Sequence, residues 1–189
     1  MLEELAKILV SFTNELGYIG IYIYMTIVGS FIPLPSQVVL IPAGYLASKG
    51  EMNFLLILIS ATLGSTTGAT INYFLAKRLL RNILKKKEIF IKKTEIFFKR
   101  HAKISLFLAP LTIGAGQYIS IPAGLGKTPF IIFFSITFIG NLIFNFFMIL
   151  IGFAFDPSVA NQKTIYVTLG LLAFVIISST TYVLREIRK

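Results

Sequence analysis

The chain has 189 residues, of which 56% are hydrophobic and 14% charged, and its mean hydropathy is +0.82. A soluble domain of this length cannot bury so much apolar surface, so the composition indicates an integral membrane protein. The absence of cysteine excludes a disulfide framework, a thiolate metal site and a cysteine nucleophile.

The positive net charge does not indicate a nucleic-acid partner, because most of the basic residues are concentrated in one segment, between Lys77 and Lys103. A basic loop between apolar segments is typical of the cytoplasmic side of a membrane protein, where it attracts anionic head groups. We therefore expect membrane lipids as partners and no nucleic acid. The residues predicted to contact anionic lipid are Lys85, Lys86, Lys87, Lys92 and Lys93.

Taken in chain order, the first predicted element is an interfacial helix. Residues 2–15 carry apolar side chains at helical spacing, and no small-residue cleavage site follows, so we expect this segment to be retained. Residues 16–32 are apolar but contain glycines, which predicts a short or tilted span. Pro33 and Pro35 break the backbone, yet the sequence stays apolar through VVLIPAGYLA. Broken backbone within apolar sequence predicts a re-entrant segment.

The next predicted element is a full membrane span over residues 54–76. Asn53 precedes it as a helix cap, and Gly64 and Gly68 form a G-x-x-x-G pattern that allows close helix packing. Basic residues with interleaved aliphatic and aromatic residues follow over 77–103. This pattern predicts an amphipathic helix on the bilayer surface.

The rest of the chain predicts a second re-entrant segment and two more spans. Residues 104–124 are apolar and interrupted by proline and glycine, and residues 129–155 and 164–184 are long enough to cross the bilayer. The basic segment and the basic C-terminal tail are both predicted to be cytoplasmic, which the two intervening spans allow. Counting backwards places residue 52 outside and the N terminus in the cytoplasm. We expect the host membrane to be the cell membrane.

The tetrapeptide IPAG occurs twice, ending at Gly44 and at Gly124. Each copy closes a broken apolar stretch just before a long span, which predicts an internal repeat. In the topology above the two copies have opposite orientations. An inverted pair of broken segments is the arrangement in which many transporters hold a substrate near the membrane midplane.

The predicted broken segments and spans contain neutral polar residues and no acidic or basic ones. Neutral groups can lower the cost of burying a lipid head group without trapping it by charge pairing. The alternative is that they only satisfy broken backbone and join helices. The residues predicted to line a substrate path or the re-entrant segments are Pro33, Pro35, Ser36, Gln37, Pro42, Gly44, Asn72, Pro110, Gly114, Gln117, Tyr118, Pro122, Gly124 and Asn141.

Four motifs carry a family resemblance over about residues 18–155: PLPSQVVLIPAGYLA, LGSTTGATINYFLAKR, FFKRHAKISLFLAP and ISIPAGLGKTPFIIF. In order and spacing they resemble the DedA family, also described as the SNARE-associated Golgi protein or VTT-domain superfamily. The resemblance implies a role in membrane homeostasis. Bacterial members are proposed to be proton-dependent transporters of lipid carriers or small molecules, and eukaryotic relatives are described as phospholipid scramblases.

The chain departs from the family pattern at the positions where the resemblance implies charged residues. Val28 or one of its neighbours, and Ala69, stand where family members often have acids, and Pro110 and Gly116 stand at the arginine positions. Because proton coupling needs a titratable group in the path, a conventional proton-driven cycle is not predicted.

The predicted fold is an all-α integral membrane domain over residues 1–189. It is a polytopic helical bundle with two inverted re-entrant segments in a core at 18–155, a C-terminal transmembrane helix at 164–184, and interfacial amphipathic helices. The leading functional hypothesis is lipid translocation, scrambling or lipid-carrier transport. A transporter of a polar small molecule or ion, and a non-transporting scaffold, are the alternatives. No enzymatic site, cofactor or metal is expected, because His101 is the sole histidine and has no evident co-ligands. Homo-oligomerisation stays open.

Overall fold

The computed structural model describes residues 17–32, 34–80, 88–111 and 116–154. This part of the chain is helical and contains no strand, which confirms the all-α prediction. The predicted elements at 2–15 and 164–184 lie outside it. The α-helices of the described ranges are α1 (Tyr18–Gly29), α2 (Gln37–Ser48), α3 (Phe54–Leu75), α4 (Glu88–Leu108), α5 (Ser120–Leu125) and α6 (Phe130–Ala154). A π-helical turn follows α3 (Ala76–Leu80), and two 3-10 turns lie between α4 and α5 (Ala109–Leu111 and Gly116–Ile119).

The centre of the bundle is formed by the two long apolar helices, α3 and α6. Phe54–Arg78 and Phe130–Ala154 each comprise 25 residues, long and apolar enough to cross a membrane. At the start of α3 the Asn53 side chain accepts hydrogen bonds from two backbone N–H groups at 2.9 and 3.1 Å, as the sequence predicts for a cap. At the start of α6 the carbonyl of Pro129 accepts from the N–H of Phe133 at 3.0 Å.

These two long helices are antiparallel. Asn141 of α6 contacts Thr66 of α3, and Asn145, one turn further along α6, contacts Thr62, one turn earlier in α3. The N-terminal end of each long helix therefore lies at the C-terminal end of the other.

Helix α1 has only 12 residues, about 18 Å of helix, and runs parallel to α3. Its Tyr18 hydroxyl accepts a hydrogen bond from the N–H of Asn53 at 2.8 Å, at the start of α3. Further along, Gly64 and then Gly68 of α3 lie against successive turns of α1. The prediction that residues 16–32 cross the bundle in the direction opposite to α3 is therefore wrong. Helix α1 starts at the same end as α3 and stops partway, because the chain turns back at a break between Gly29 and Gln37, in a stretch that contains Pro35.

Helix α2, also of 12 residues, returns from this break and packs on α6. The core between the helices contains Tyr24, Leu40, Ile57 and Ile149, each at most 1% exposed. We call α1, the break and α2 the first hairpin. Its two arms lie against different long helices, α1 against α3 and α2 against α6.

The second half of the described chain has the same plan. Helix α4 runs parallel to α6, because Glu95 pairs with Lys127 just before α6 and Phe107 lies against Gly140 in its middle. The prediction placed a boundary near residue 103, but α4 continues unbroken to Leu108. The last charged residue of α4 is Lys103, and the helix continues for five more residues. We call α4, its break and α5 the second hairpin; its short arm α5 packs on α3.

Candidate functional site

The glycine of each IPAG copy lies against the long helix of the other half of the chain. A Cβ atom built on Gly44 would be 2.1 Å from the carbonyl oxygen of Ile149 in α6, and one on Gly124 would be 2.3 Å from that of Tyr73 in α3. Ile149 lies 19 residues after the first residue of α6, and Tyr73 lies 19 residues after the first residue of α3. The two contacts are thus equivalent: the glycine of the first half packs on the long helix of the second half, and the glycine of the second half packs on the long helix of the first.

A second pair of equivalent contacts joins each long helix to the first arm of the hairpin in its own half. Gly64 in α3 lies against the carbonyl of Tyr22 in α1, and Gly140 in α6 lies against the carbonyl of Phe107 in α4. Gly64 and Gly140 are each ten residues after the first residue of their helix. Glycine at these positions lets backbone meet backbone, which is how small residues bring membrane helices together.

The first break is held to the bundle by side-chain hydrogen bonds to its backbone. The Tyr24 hydroxyl donates to the carbonyl of Pro35 at 2.9 Å, and the amide of Asn72 donates to the carbonyl of Gly29 at 3.3 Å. Asn72 is 2% exposed. The Asn72 bond gives a partner to a carbonyl at the end of α1, and the Pro35 carbonyl accepts both from Tyr24 and from the N–H of Val38, the latter at 3.3 Å. Irregular backbone within a membrane protein requires such partners.

The other predicted residues of the first hairpin lie close to this break. Ser36 is buried, and its carbonyl accepts from the N–H groups at the start of α2. Gln37 is the first residue of α2 and is partly exposed, and Pro42 lies inside the same helix. Pro33 is outside the described residues.

The second break brings fewer of the predicted residues together. Pro110 packs on Gly140, with its Cγ 3.1 Å from where a Cβ would lie. Gln117 and Tyr118 belong to the 3-10 turn before α5, and Tyr118 is half-buried. The carbonyl of Pro122 accepts the N–H of residue 126 at 2.8 Å and ends α5. Gly114 lies outside the described residues.

A set of neutral polar side chains joins α3 to α6 where these helices cross, and we call it the polar seam: Thr62, Ser65, Thr66, Asn141 and Asn145. Asn145, only 1% exposed, donates to two hydroxyls at 3.4 Å each, and Asn141 donates to one at 3.3 Å. Each polar group thus finds its partner on the facing helix. This geometry favours the helix-joining interpretation for Asn141, which the sequence had also placed among path residues.

A cavity of about 520 Å³ lies between the two arms of the first hairpin. Its volume falls within the range of small-molecule sites. Its walls are mostly apolar, and Glu51 is the one acidic residue among the described residues that line it. Sequence reasoning named Pro42 and missed Glu51, because Glu51 lies in the turn between α2 and α3 rather than in a predicted span. The lining residues are Gly17, Tyr18, Ile21, Val38, Val39, Pro42, Ala43, Leu46, Glu51 and Met52.

The C-terminal end of α3 carries exposed cations beside aromatic rings. Lys77 Nζ is 3.4 Å from the Tyr73 hydroxyl, and the guanidinium of Arg78 lies 5.7 Å from the Phe74 ring centre. The Tyr73 hydroxyl donates to the carbonyl of Thr128 at 2.5 Å, which holds the start of α6 against this end of α3.

Of the residues predicted to contact anionic lipid, the structure places only two. Lys92 is exposed on α4, and Lys93 belongs to the same helix. Lys85, Lys86 and Lys87 lie outside the described residues.

Within the described ranges, no group of three acidic, histidine or cysteine residues is close enough to hold a metal ion. His101 lies on α4, its ring 5.2 Å from that of Phe97.

Comparison with known proteins finds a family and several relatives. The VTT domain matches residues 32–154. The "Alkaline phosphatase-like protein" of Lactococcus lactis subsp. lactis is 30% identical over 160 residues, covering 78% of this chain and 75% of the relative. "Undecaprenyl phosphate transporter A" of Staphylococcus aureus is 28% identical over 182 residues, covering 90% of each protein. The membrane protein YkoX of Bacillus subtilis is 29% identical over 201 residues, covering all of this chain and 87% of the relative.

No solved structure matches the chain. The family match extends from the first break to the end of α6 and so includes both IPAG glycines and both long helices. Together with the two apolar helices of membrane-spanning length, it makes the protein an integral membrane protein. The chain belongs to the VTT-domain family, that is, the DedA family.

Proposed function

We propose that the protein moves a lipid carrier, or another lipid with a polar head group, between the two leaflets of the cell membrane. The observation that carries the proposal is the pair of hairpins whose breaks lie beside the middle of the long helices. Gly29 at the first break lies against Ser65, and Pro110 at the second lies against Gly140. The name of the Staphylococcus aureus relative, an undecaprenyl phosphate transporter, supports a lipid-carrier substrate.

The two hairpins are proposed to enter the bilayer from opposite faces. Three features support this arrangement: α3 and α6 are antiparallel, the first arm of each hairpin is parallel to its own long helix, and the IPAG contacts are exchanged between halves. A two-fold axis passing near the polar seam would relate the halves. Both breaks then lie close to the membrane midplane, where a head group meets the highest barrier.

Neutral groups at the breaks are proposed to lower that barrier. Burying a polar group without a partner costs several kcal/mol, and hydrogen bonds from neutral side chains offset part of it without binding the head group too tightly to release. Gln37, the first residue of α2, and Gln117, in the 3-10 turn before α5, are the candidates. The cavity between the arms of the first hairpin, with its apolar walls, is proposed to receive part of the hydrocarbon chain.

The basic end of α3 is proposed to face the cytoplasm, together with the C-terminal tail. In this orientation Tyr18 and Asn53 lie at the outer face. The lipid is moved between the leaflets and is not chemically altered.

Purified protein in liposomes tests the proposal. Vesicles are prepared with a fluorescent polyprenyl phosphate in both leaflets, and an impermeant quencher is added outside. In empty vesicles about half of the fluorescence is protected, whereas vesicles containing the protein should lose most of this protected half. Loss no faster than in empty vesicles would refute the proposal.

Paired substitutions separate transport from a scaffold role. Replacing both Gln37 and Gln117 with leucine should slow the loss of protected fluorescence. The control is Ser135→Leu, which makes a similar polar-to-apolar change at an exposed position on α6, away from the breaks. Equal rates in both variants would count against a polar path at the breaks. A scaffold protein would show no transport in any variant. If a water-soluble solute leaves the vesicles while the labelled lipid stays protected, the small-molecule alternative replaces the lipid one.

A further inference from the structure

A continuous row of aromatic rings runs along the outside of the bundle from the end of α3 down the first half of α6. We call it the aromatic ladder: Phe74, Phe130, Phe134 and Phe138. Successive ring centres are 5.2, 5.8 and 6.2 Å apart. Its first three rings are 36%, 37% and 39% exposed. The row is therefore roughly as long as half of the ~30 Å hydrocarbon core.

The ladder begins at a pair of cations. The Arg78 guanidinium lies over its first ring, Phe74, at 5.7 Å, and Lys77 is the neighbouring residue. Both cations are exposed, and neither has a carboxylate partner among the described residues. Lys127, by contrast, is paired with Glu95 at 3.5 Å. The pair thus carries two positive charges that the described part of the protein does not neutralise.

The position of Lys77 is fixed by contacts that leave part of its ammonium free. The Tyr73 hydroxyl gives its hydrogen to the carbonyl of Thr128, so its oxygen accepts from Lys77 at 3.4 Å. An ammonium has three N–H donors, and this contact uses one. The start of α6, with its partial positive charge, is held nearby through the same tyrosine. Two N–H donors of the Lys77 ammonium are therefore left for another partner.

We propose that this surface binds one lipid phosphate monoester, with its phosphate at Lys77 and Arg78 and its hydrocarbon chain along the aromatic ladder. Charge complementarity selects the head group, because a phosphate monoester carries about −1.5 to −2 charge near pH 7, which two cations balance better than they balance a diester or a zwitterion. The single row of rings selects one chain rather than two. The inference rests on the proposed function, in which this is the cytoplasmic site that holds the lipid before it reaches the breaks.

Native mass spectrometry of the full chain in detergent tests the site without requiring transport. The probes are oleoyl lysophosphatidic acid, a single-chain phosphate monoester, and oleoyl lysophosphatidylcholine, which has the same chain and a zwitterionic head group. The protein should bind the first lipid more tightly than the second. The double variant K77Q/R78Q should weaken binding of the first by about tenfold or more, since each basic residue contributes to anionic head-group binding. The matched control R100Q/K103Q, which removes two exposed cations from α4, should change it less than twofold.

A second pair of variants tests the hydrocarbon chain. Phe134→Ala in the ladder should weaken binding of both lipids, whereas Phe146→Ala should not, although this phenylalanine is on the same helix and is 38% exposed. The site would be overturned if K77Q/R78Q and R100Q/K103Q weakened lipid binding equally, or if Phe134→Ala and Phe146→Ala did. A change from dimer to monomer in Phe134→Ala without a change in lipid binding would overturn it too, because the ladder would then be an interface between copies.

If wild-type vesicles move no lipid but binding still depends on Lys77 and Arg78, the proposed function fails and the site stands. If K77Q/R78Q moves and binds lipid as the wild type does, the site fails and the proposed function stands.

Discussion

Replacing Gly44 with alanine should destabilise the protein, although alanine is the better helix former. In a helix interior without close neighbours, this change stabilises by about 1 kcal/mol. Here the new Cβ would lie 2.1 Å from the carbonyl oxygen of Ile149, well short of the 3.4 Å at which ordinary contact begins. Helices α2 and α6 must then separate by roughly 1 Å. Overpacking of this kind costs about 1–3 kcal/mol, and backbone atoms cannot rotate away, so we take the upper value.

The net expectation is a loss of about 2 kcal/mol in the free energy of unfolding, which corresponds to a fall of about 4–8 °C in melting temperature for a chain of this size. Thermal unfolding in detergent, followed by size-exclusion chromatography of the heated sample, measures the shift. Ala47→Gly in the same helix is the control, since it should cost about 1 kcal/mol through helix propensity and the loss of one partly buried methyl group, without any close approach of the helices. Gly124→Ala should match Gly44→Ala, because its contact with α3 is equivalent. A melting temperature that rises in Gly44→Ala would show that α2 is not held against α6 as described.

Three further outcomes follow from the structure. Because the chain has no cysteine, Lys49→Cys and Lys127→Cys provide single labelling sites, and an impermeant thiol reagent should reach them from opposite sides of the membrane. Labelling of both from one side would rule out the inverted arrangement. Asn72→Leu should lower the free energy of unfolding by about 1–3 kcal/mol, measured by thermal unfolding, because it leaves a buried carbonyl of α1 without its donor; an unchanged melting temperature would mean that water replaces the amide. Tyr73→Phe removes the bond to the carbonyl of Thr128 and should cost about 1 kcal/mol in the same assay, with no loss expected if that bond is absent in the membrane.

Sequence reasoning located the long helices but not the direction of α1. Capping at Asn53 and the apolar length of residues 54–76 and 129–155 predict α3 and α6 to within a few residues. The predicted direction of α1 was wrong because a helix that turns back partway and a short helix that crosses the membrane have the same composition. Only tertiary contacts, such as that between Tyr18 and Asn53, show which ends lie together. The boundary of α4 was misplaced for a related reason, since charge marks the membrane surface and does not end a helix.

Some residues of the candidate site could be predicted from the sequence, and others could not. Backbone rules pointed to Pro35, Ser36 and Asn72, which the structure brings to one break, because broken helices need polar partners. The same rules could not single out Lys77, whose environment depends on a hydrogen bond between residues 73 and 128, 55 positions apart in the chain. Glu51 was missed because the cavity it borders exists only once α1 and α2 have folded beside each other.

The exchange of IPAG contacts between the halves has a consequence for biosynthesis. Gly44 packs on Ile149, so α2 lacks its packing partner α6 until the ribosome has added about 100 more residues, whereas α1 can pack on α3 earlier. At about 5–20 residues per second, that wait lasts about 5–20 s. During this interval the face of α2 that later packs on α6 is uncovered, and the nascent chain depends on the insertion machinery or on lipid to keep it from aggregating. Ribosome stalling before α6 emerges should therefore yield a protease-sensitive intermediate, and release of the stall should restore protection.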